Sequence, residues 1–264
     1  MKIIWVEGSF RPSVRRLTDS RVAVVTRDVM VGGCPLGELR ATQSVVIPAG
    51  VEEIGDDWFK NSTVESVTVS ASVRRLGKGA FQNCGQLRRV VFSDGSALES
   101  VGNECFRECG LDAIAIPPGV TEIGAYVFCE CGRLTEVQFS SDSRLKSIGE
   151  GCFSCSRLEK IVFPPTVRRI SGSAFYMCTR LREVRLNEGL EVLGGGEEDE
   201  IFASSAVESI TFPSTLREIG AYEFCNCQHL KKVAFPDRLR KICRSAFSCS
   251  GLTSVSFPQS LEEI

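Results

Sequence analysis

The stretch Ile123–Leu134, IGAYVFCECGRL, returns almost letter for letter as IGAYEFCNCQHL at Ile219–Leu230. Each copy holds a Cys-x-Cys pair, which raises a metal-ligand or redox reading. Each copy also places a Gly four residues ahead of a Phe and a Cys three residues behind it. Aligning the remaining chain on that Phe exposes a frame: V/L-x-x-I/L, then G-x-x-A-F, then C-x-x-L-x-x-V-x-F-P. Units open at Val51, Val73, Leu98, Val120, Leu145, Val167, Leu190, Leu216 and Leu239, and LEEI at Leu261 opens another. They run 22 to 26 residues, and the aromatic slot holds Phe59, Phe81, Phe106, Phe128, Phe153, Phe175, Phe202, Phe224 and Phe247 without exception. Self-similarity at such a period marks a solenoid, in which each unit buries its apolar face against its neighbours.

The slots have separate physical demands. In L-x-x-V-x-F, as in LRRVVF ending at Phe92, apolar and variable residues alternate, which predicts a half-buried strand. Pro often follows (Pro117, Pro164, Pro213, Pro236, Pro258), where it ends the strand without costing a ladder bond. V-x-x-I-G predicts a second short extended piece, and G-x-x-A-F-x-x-C a turn of helix that drops Phe and Cys inward. Length varies after the strand, as in SDGSA, or ahead of the Phe, as in GGGEEDE, where loops on a stacked scaffold tolerate insertion.

These units resemble the BspA-like leucine-rich repeats, also called the Treponema pallidum type, over residues 51–264. The resemblance implies an α/β fold: a curved, right-handed leucine-rich-repeat solenoid. One face would carry a parallel sheet, with short strands, turns and single helical turns elsewhere. It further implies a non-enzymatic binding or adhesion role, since members are often cell-surface proteins of bacteria and protists.

Composition agrees with a packed chain that advertises neither nucleic acid nor lipid. Of 264 residues 43% are hydrophobic and 24% charged, and the formal net charge is -2. No apolar run nears the ~20 residues of a membrane helix, so no span is expected. The N-terminal run IIWV (Ile3–Val6) falls short of a signal-peptide core, which by itself points to the cytoplasm, against the cell surface that the resemblance implies.

Thirteen cysteines would suit a metal or redox protein, but register assigns most of them to the repeat. Cys84, Cys109, Cys131, Cys178 and Cys227 lie three residues after the Phe, and Cys155 and Cys249 two after it, in units taken as one residue shorter there. Cys105 and Cys152 precede the Phe, where Ala80, Ala174 and Ala246 stand in other units. Small, buried, unoxidised thiols suit both slots. The other members of the Cys-x-Cys pairs, Cys129 and Cys225, are expected to face outward, so neither pair chelates one ion. His229 is the single histidine and no nucleophile is fixed beside it. Gly194–Asp199, GGGEED, would repel phosphate and lacks calcium-loop spacing, so it reads as a flexible insertion. No catalytic, cofactor or metal site is assigned.

Function is then expected on positions the repeat leaves free. The two outward residues of each long strand form rows down one sheet face. The expected partner-binding residues there are Arg89, Glu136, Gln138, Lys160, Glu183, Arg185 and Lys232, a mixed-charge set suited to a polypeptide ligand and not to nucleic acid. The opposite edge carries Glu52/Glu53, Arg74/Arg75, Arg168/Arg169, Arg217/Glu218 and Arg240/Lys241 and reads as a wet back. Residues 1–50 read as a degenerate N-terminal cap. The leading expectation is a protein-binding solenoid, adhesin-like or a scaffold. The second is a structural protein that self-associates through an uncapped C-terminal end.

Overall fold

The computed structural model describes residues 44–194 and 199–264, together with an antiparallel pairing of Arg15–Arg16 with Ala23–Val24. Most of the expected cap lies outside the described residues. Its last segment, Ser44–Val46, pairs in parallel with Ser66–Thr68 and so joins the stack.

Two columns of parallel strands run along the solenoid. The long strands alternate as their pattern demands: in Ser66–Val69 the two Val are buried, and Ser66 and Thr68 are half-buried on the outer face. The V-x-x-I segments form two-residue strands, from Glu53–Ile54 to Val192–Leu193, in one uninterrupted seven-stranded sheet. Its inward column is Ile54, Leu76, Val101, Ile123, Ile148, Ile170 and Leu193, all in register. The long strands do not make one sheet. They split into sets of three (Ser44–Val46, Ser66–Val69, Arg89–Phe92), two (Ala113–Ile116, Glu136–Phe139) and three (Lys160–Val162, Glu183–Arg185, Ser209–Thr211).

Between the two columns the expected helical turn does not form in any described unit; the segment is a run of reverse turns. Its backbone bonds leave the unit: Phe59 N–H donates to the Ala80 carbonyl at 2.7 Å and Asn61 N–H to that of Gln82 at 2.9 Å. A helix would satisfy both donors internally. Residues two before and two after the Phe also take left-handed φ, as at Asp57 (56°) and Asn61 (60°), which interrupts any right-handed run. The fold is therefore a parallel β-solenoid with no helix among the described residues.

The nine Phe rings stack in one continuous column, with consecutive centroids 5.0 to 5.7 Å apart. That spacing follows the strand repeat of ~4.8 Å, so the ladder and the ring column reinforce each other.

Beside the Phe column runs a polar one. The slot three after the Phe holds Ser62, Cys84, Cys109, Cys131, Ser156, Cys178, Ser205 and Cys227, all buried. Each of these five thiols donates to the Phe carbonyl of the preceding unit, from 2.9 Å at Cys84 to 3.1 Å at Cys178. Serine fills the slot where cysteine is missing, and Ser156 Oγ lies 3.4 Å from Cys178 Sγ. This corrects the expected register at two cysteines. No residue is missing there; Cys155 and Cys249 sit one position earlier, at left-handed φ, half-buried and exposed respectively. Cys129 is likewise buried instead of outward-facing, and Cys225 is half-buried.

All twelve described cysteines are free thiols, and eight are buried. Burial pushes Cys131 and Cys178 up to about 12 and Cys129 to about 11, so these thiols stay protonated and poorly nucleophilic at neutral pH. A colorimetric thiol assay on the native protein is expected to find at most five fast-reacting thiols (Cys34, Cys155, Cys225, Cys243, Cys249) and all 13 after unfolding. Fast reaction of Cys84, Cys131 or Cys178 in the native chain would show that the polar column is open to solvent.

Candidate functional site

All seven expected residues lie on the outer row, six exposed and Glu183 half-buried. They are not one continuous patch of sheet. Lys160, Glu183 and Arg185 share a three-stranded set, with Lys160 in register with Glu183. Glu136 and Gln138 belong to the two-stranded set beside Ala113 and Ala115, and Arg89 to the first set beside Ser66. Lys232 lies outside any strand, two residues before Ala234, which makes a single bridge to Thr211.

The acids of this row are already engaged: Gln138 Nε2 donates to Glu136 Oε1 at 3.0 Å, and Arg185 Nε pairs with Glu183. Arg89, Lys160 and Lys232 make no ion pair among the described residues. The opposite edge behaves differently, because its charges bridge successive units: Arg75–Glu53 at 2.8 Å, Arg74–Glu99 at 2.6 Å and Lys241–Glu263 at 3.5 Å. Pairs this exposed contribute ~1 kcal/mol or less each, but they leave that edge largely self-neutralised.

Two clefts open on the outer face where the long-strand ladder is interrupted. One, of 550 Å³, lies between Val91, Phe92, Ala115 and Phe139 and is walled by Ser93–Ser96 and Pro117–Pro118. The other, of 460 Å³, lies between Gln138, Phe139, Lys160 and Val162 and is walled by Ser140–Ser141 and Pro164–Pro165. Val91 and Val162 are 43% and 53% exposed, among the most exposed large apolar side chains of the described chain. Sequence reasoning missed the clefts, although their signal was present. Both interruptions follow directly on the 25-residue units, which spend their extra residues after Phe92 and Phe139.

Among the described residues no three His, Cys, Asp or Glu side chains converge to hold a metal ion, and no helix is long and apolar enough to cross a membrane. His229 is exposed.

The family description "BspA type Leucine rich repeat region" matches the chain in six copies over residues 37–97, 92–196 and 198–264. No functionally curated protein matches. Among solved structures, the pneumococcal vaccine antigen PcpA is similar at 26% identity and a TM-score of 0.64, over 83% of this chain and 61% of that one. This chain thus spans about three-fifths of the antigen's length. A leucine-rich repeat protein from Bacteroides ovatus is similar at 20% identity and a TM-score of 0.57, over 98% of this chain and 90% of that one.

Proposed function

We propose a non-enzymatic, protein-binding role for this chain, which belongs to the BspA-type leucine-rich repeat family. The working surface is the outer face of the long strands, and the observation that carries this reading is the pair of apolar clefts beside cations that form no ion pair among the described residues. Val91 and Val162 offer apolar anchoring, and Arg89 and Lys160 offer charge to carboxylates of a polypeptide. Eight parallel strands at ~4.8 Å give a face on the order of 35–40 Å long, enough for a protein footprint of ~800 Å² per partner.

The test begins with capture of partners on the immobilised chain, identified by mass spectrometry, followed by binding kinetics. Reversing Arg89 and Lys160 to Glu is expected to slow association several-fold and to weaken its salt dependence, since exposed charge acts mainly on the on-rate. Val91→Ser with Val162→Ser is expected to speed dissociation. Glu52→Lys with Glu53→Lys, on the opposite edge, should change neither rate. A partner lost with the Glu52/Glu53 reversal and indifferent to the other two pairs would move the working surface to the back.

A further inference from the structure

Glu223 stands where the repeat wants a small apolar side chain. The position before the Phe holds Ala80, Cys105, Val127, Cys152, Ala174, Ile201 and Ala246 in seven of the other eight units, all buried, and the half-buried Trp58 in the first. In the near-duplicate IGAYVFCEC the same position is Val127. Glu223 is nonetheless 0% exposed, and among the described residues neither of its carboxyl oxygens has a hydrogen-bond partner in good geometry.

A second buried carboxyl meets it. Asp199, at the end of the GGGEED insertion, is 4% exposed. An atom at the missing Cβ of Gly220 would lie 2.6 Å from Asp199 Oδ2 and 2.9 Å from Glu223 Oε1, so both oxygens converge on one spot beside that backbone. The same Asp199 oxygen would lie 2.5 Å from a Cβ on Gly194. Two glycines thus clear the space in which the acids meet. A lone ionised carboxylate with no partner is too costly to hold in an apolar slot, so a proton or a cation must neutralise it. A divalent cation wants six or more oxygens, and among the described residues no third His, Cys, Asp or Glu joins the two acids. A proton on Glu223 answers that cost, and the negative charge of nearby Asp199 favours it further.

We propose that Glu223, buried beside Asp199, carries a proton in the folded chain and that this proton acts as a latch at the junction of the seventh and eighth repeats, tight in acid and loosened as pH rises. Burial first, then the charge of Asp199, raises Glu223 well above the ordinary carboxyl value of 4.5, and the backbone amides of Ile201 and Gly220 oppose this less strongly. Around the two acids lie Glu218 and Cys227 from the eighth unit. The ninth contributes Lys241, Cys243 and Arg244, which share with Asp199 and Glu218 the lining of one cleft. Cys243 Sγ lies 3.0 Å from Glu218 Oε1, Lys241 pairs with Glu263, and Arg244 sits over the Tyr222 ring. None of them bonds Glu223. Because the folded-state value is raised, the latch is fully present below the ordinary carboxyl range and is lost as pH climbs through the folded value.

Urea midpoints measured from pH 4 to 9 test the latch. Glu223→Gln keeps the shape without the charge, and Glu223→Val copies the fourth unit. Both are expected to gain on the wild type steadily as pH rises, with the gap in midpoint widening by pH 8. Asp199→Asn should lower the pH at which the wild-type loss sets in. A gap that stays constant with pH would overturn the proposal. So would a wild-type midpoint raised by calcium or magnesium at fixed ionic strength but unmoved in Glu223→Gln, which would put a cation where the proton is placed. If neither variant folds, the carbon-13 carboxyl titration of Glu223 in the wild type decides: an ordinary carboxyl value sinks the latch and a raised one sustains it.

Discussion

Phe153→Ala is expected to destabilise the chain by about 3–5 kcal/mol, the range for truncating a buried aromatic. Phe153 is 0% exposed and stacks on Phe128 and Phe175, both at 5.3 Å. Its backbone bonds survive the change: the N–H still donates to Ala174 at 2.8 Å, and its carbonyl still accepts the Cys178 thiol at 3.1 Å. What disappears is the ring and two stacking contacts, each contributing roughly 0.5–1.5 kcal/mol beyond area burial. Because units of a solenoid contact only their neighbours, the gap also uncouples the two halves, and the unfolding transition should broaden or divide. Met177→Ala, at an exposed position in the next unit, should stay within ~0.5 kcal/mol. Urea titrations that gave both variants the same small loss would mean the ring column does not organise the stack.

Most of this fold could be read in the sequence because the repeat states each demand nine times. The Phe slot and the V-x-x-I column fall where the frame puts them, and so does the alternating V-x-F strand up to Ser209–Thr211; in the eighth unit only a single bridge at Ala234 forms, and in the ninth no long strand. The turn beside the Phe was harder to read. G-x-x-A-F-x-x-C has helical composition, and nothing local shows that Phe59 N–H bonds to a residue 21 positions later instead of within its own turn. Only stacking supplies that partner. The same blindness shifted Cys155 and Cys249 into the polar column. A cysteine was counted as the slot's signature, whereas the slot needs any small donor and takes Ser156 and Ser250 with no change of register.

The candidate site was legible in part. Which residues face outward follows from period two, and all seven do so. That Glu136 and Glu183 are already engaged, and that Arg89 and Lys160 form no ion pair among the described residues, depends on rotamers and cross-unit neighbours that a linear pattern does not carry. The clefts depend on where the ladder is interrupted, which unit length hints at and only packing decides. Glu223 sat in plain view, one letter apart from Val127 in the stretch that fixed the frame. Its burial contradicts composition, since a glutamate ordinarily marks an exposed position.

Gly149→Ala should cost about 3 kcal/mol or more, at or above the upper end of the usual overpacking cost of about 1–3 kcal/mol. Gly149 follows Ile148 in the short-strand column and its N–H donates to the Ile123 carbonyl at 2.9 Å. An added methyl would lie 2.4 Å from the Gly124 carbonyl carbon, 2.5 Å from its oxygen and 2.6 Å from Ala125 N. All three contacts are backbone, so no side-chain rotation relieves them. The fourth and fifth units must separate, which strains the ladder bond from Tyr126 N–H to the Glu150 carbonyl at 2.7 Å. Gly132→Ala is the matched control: it is exposed, meets nothing within 4 Å and has no left-handed φ. Its effect should lie near zero or be slightly stabilising, through the stiffer unfolded chain. Hydrogen exchange locates the damage, with Tyr126 and Gly149 losing protection in the first variant and keeping it in the second. Equal protection in both would mean that the units stack more loosely than the glycine column requires.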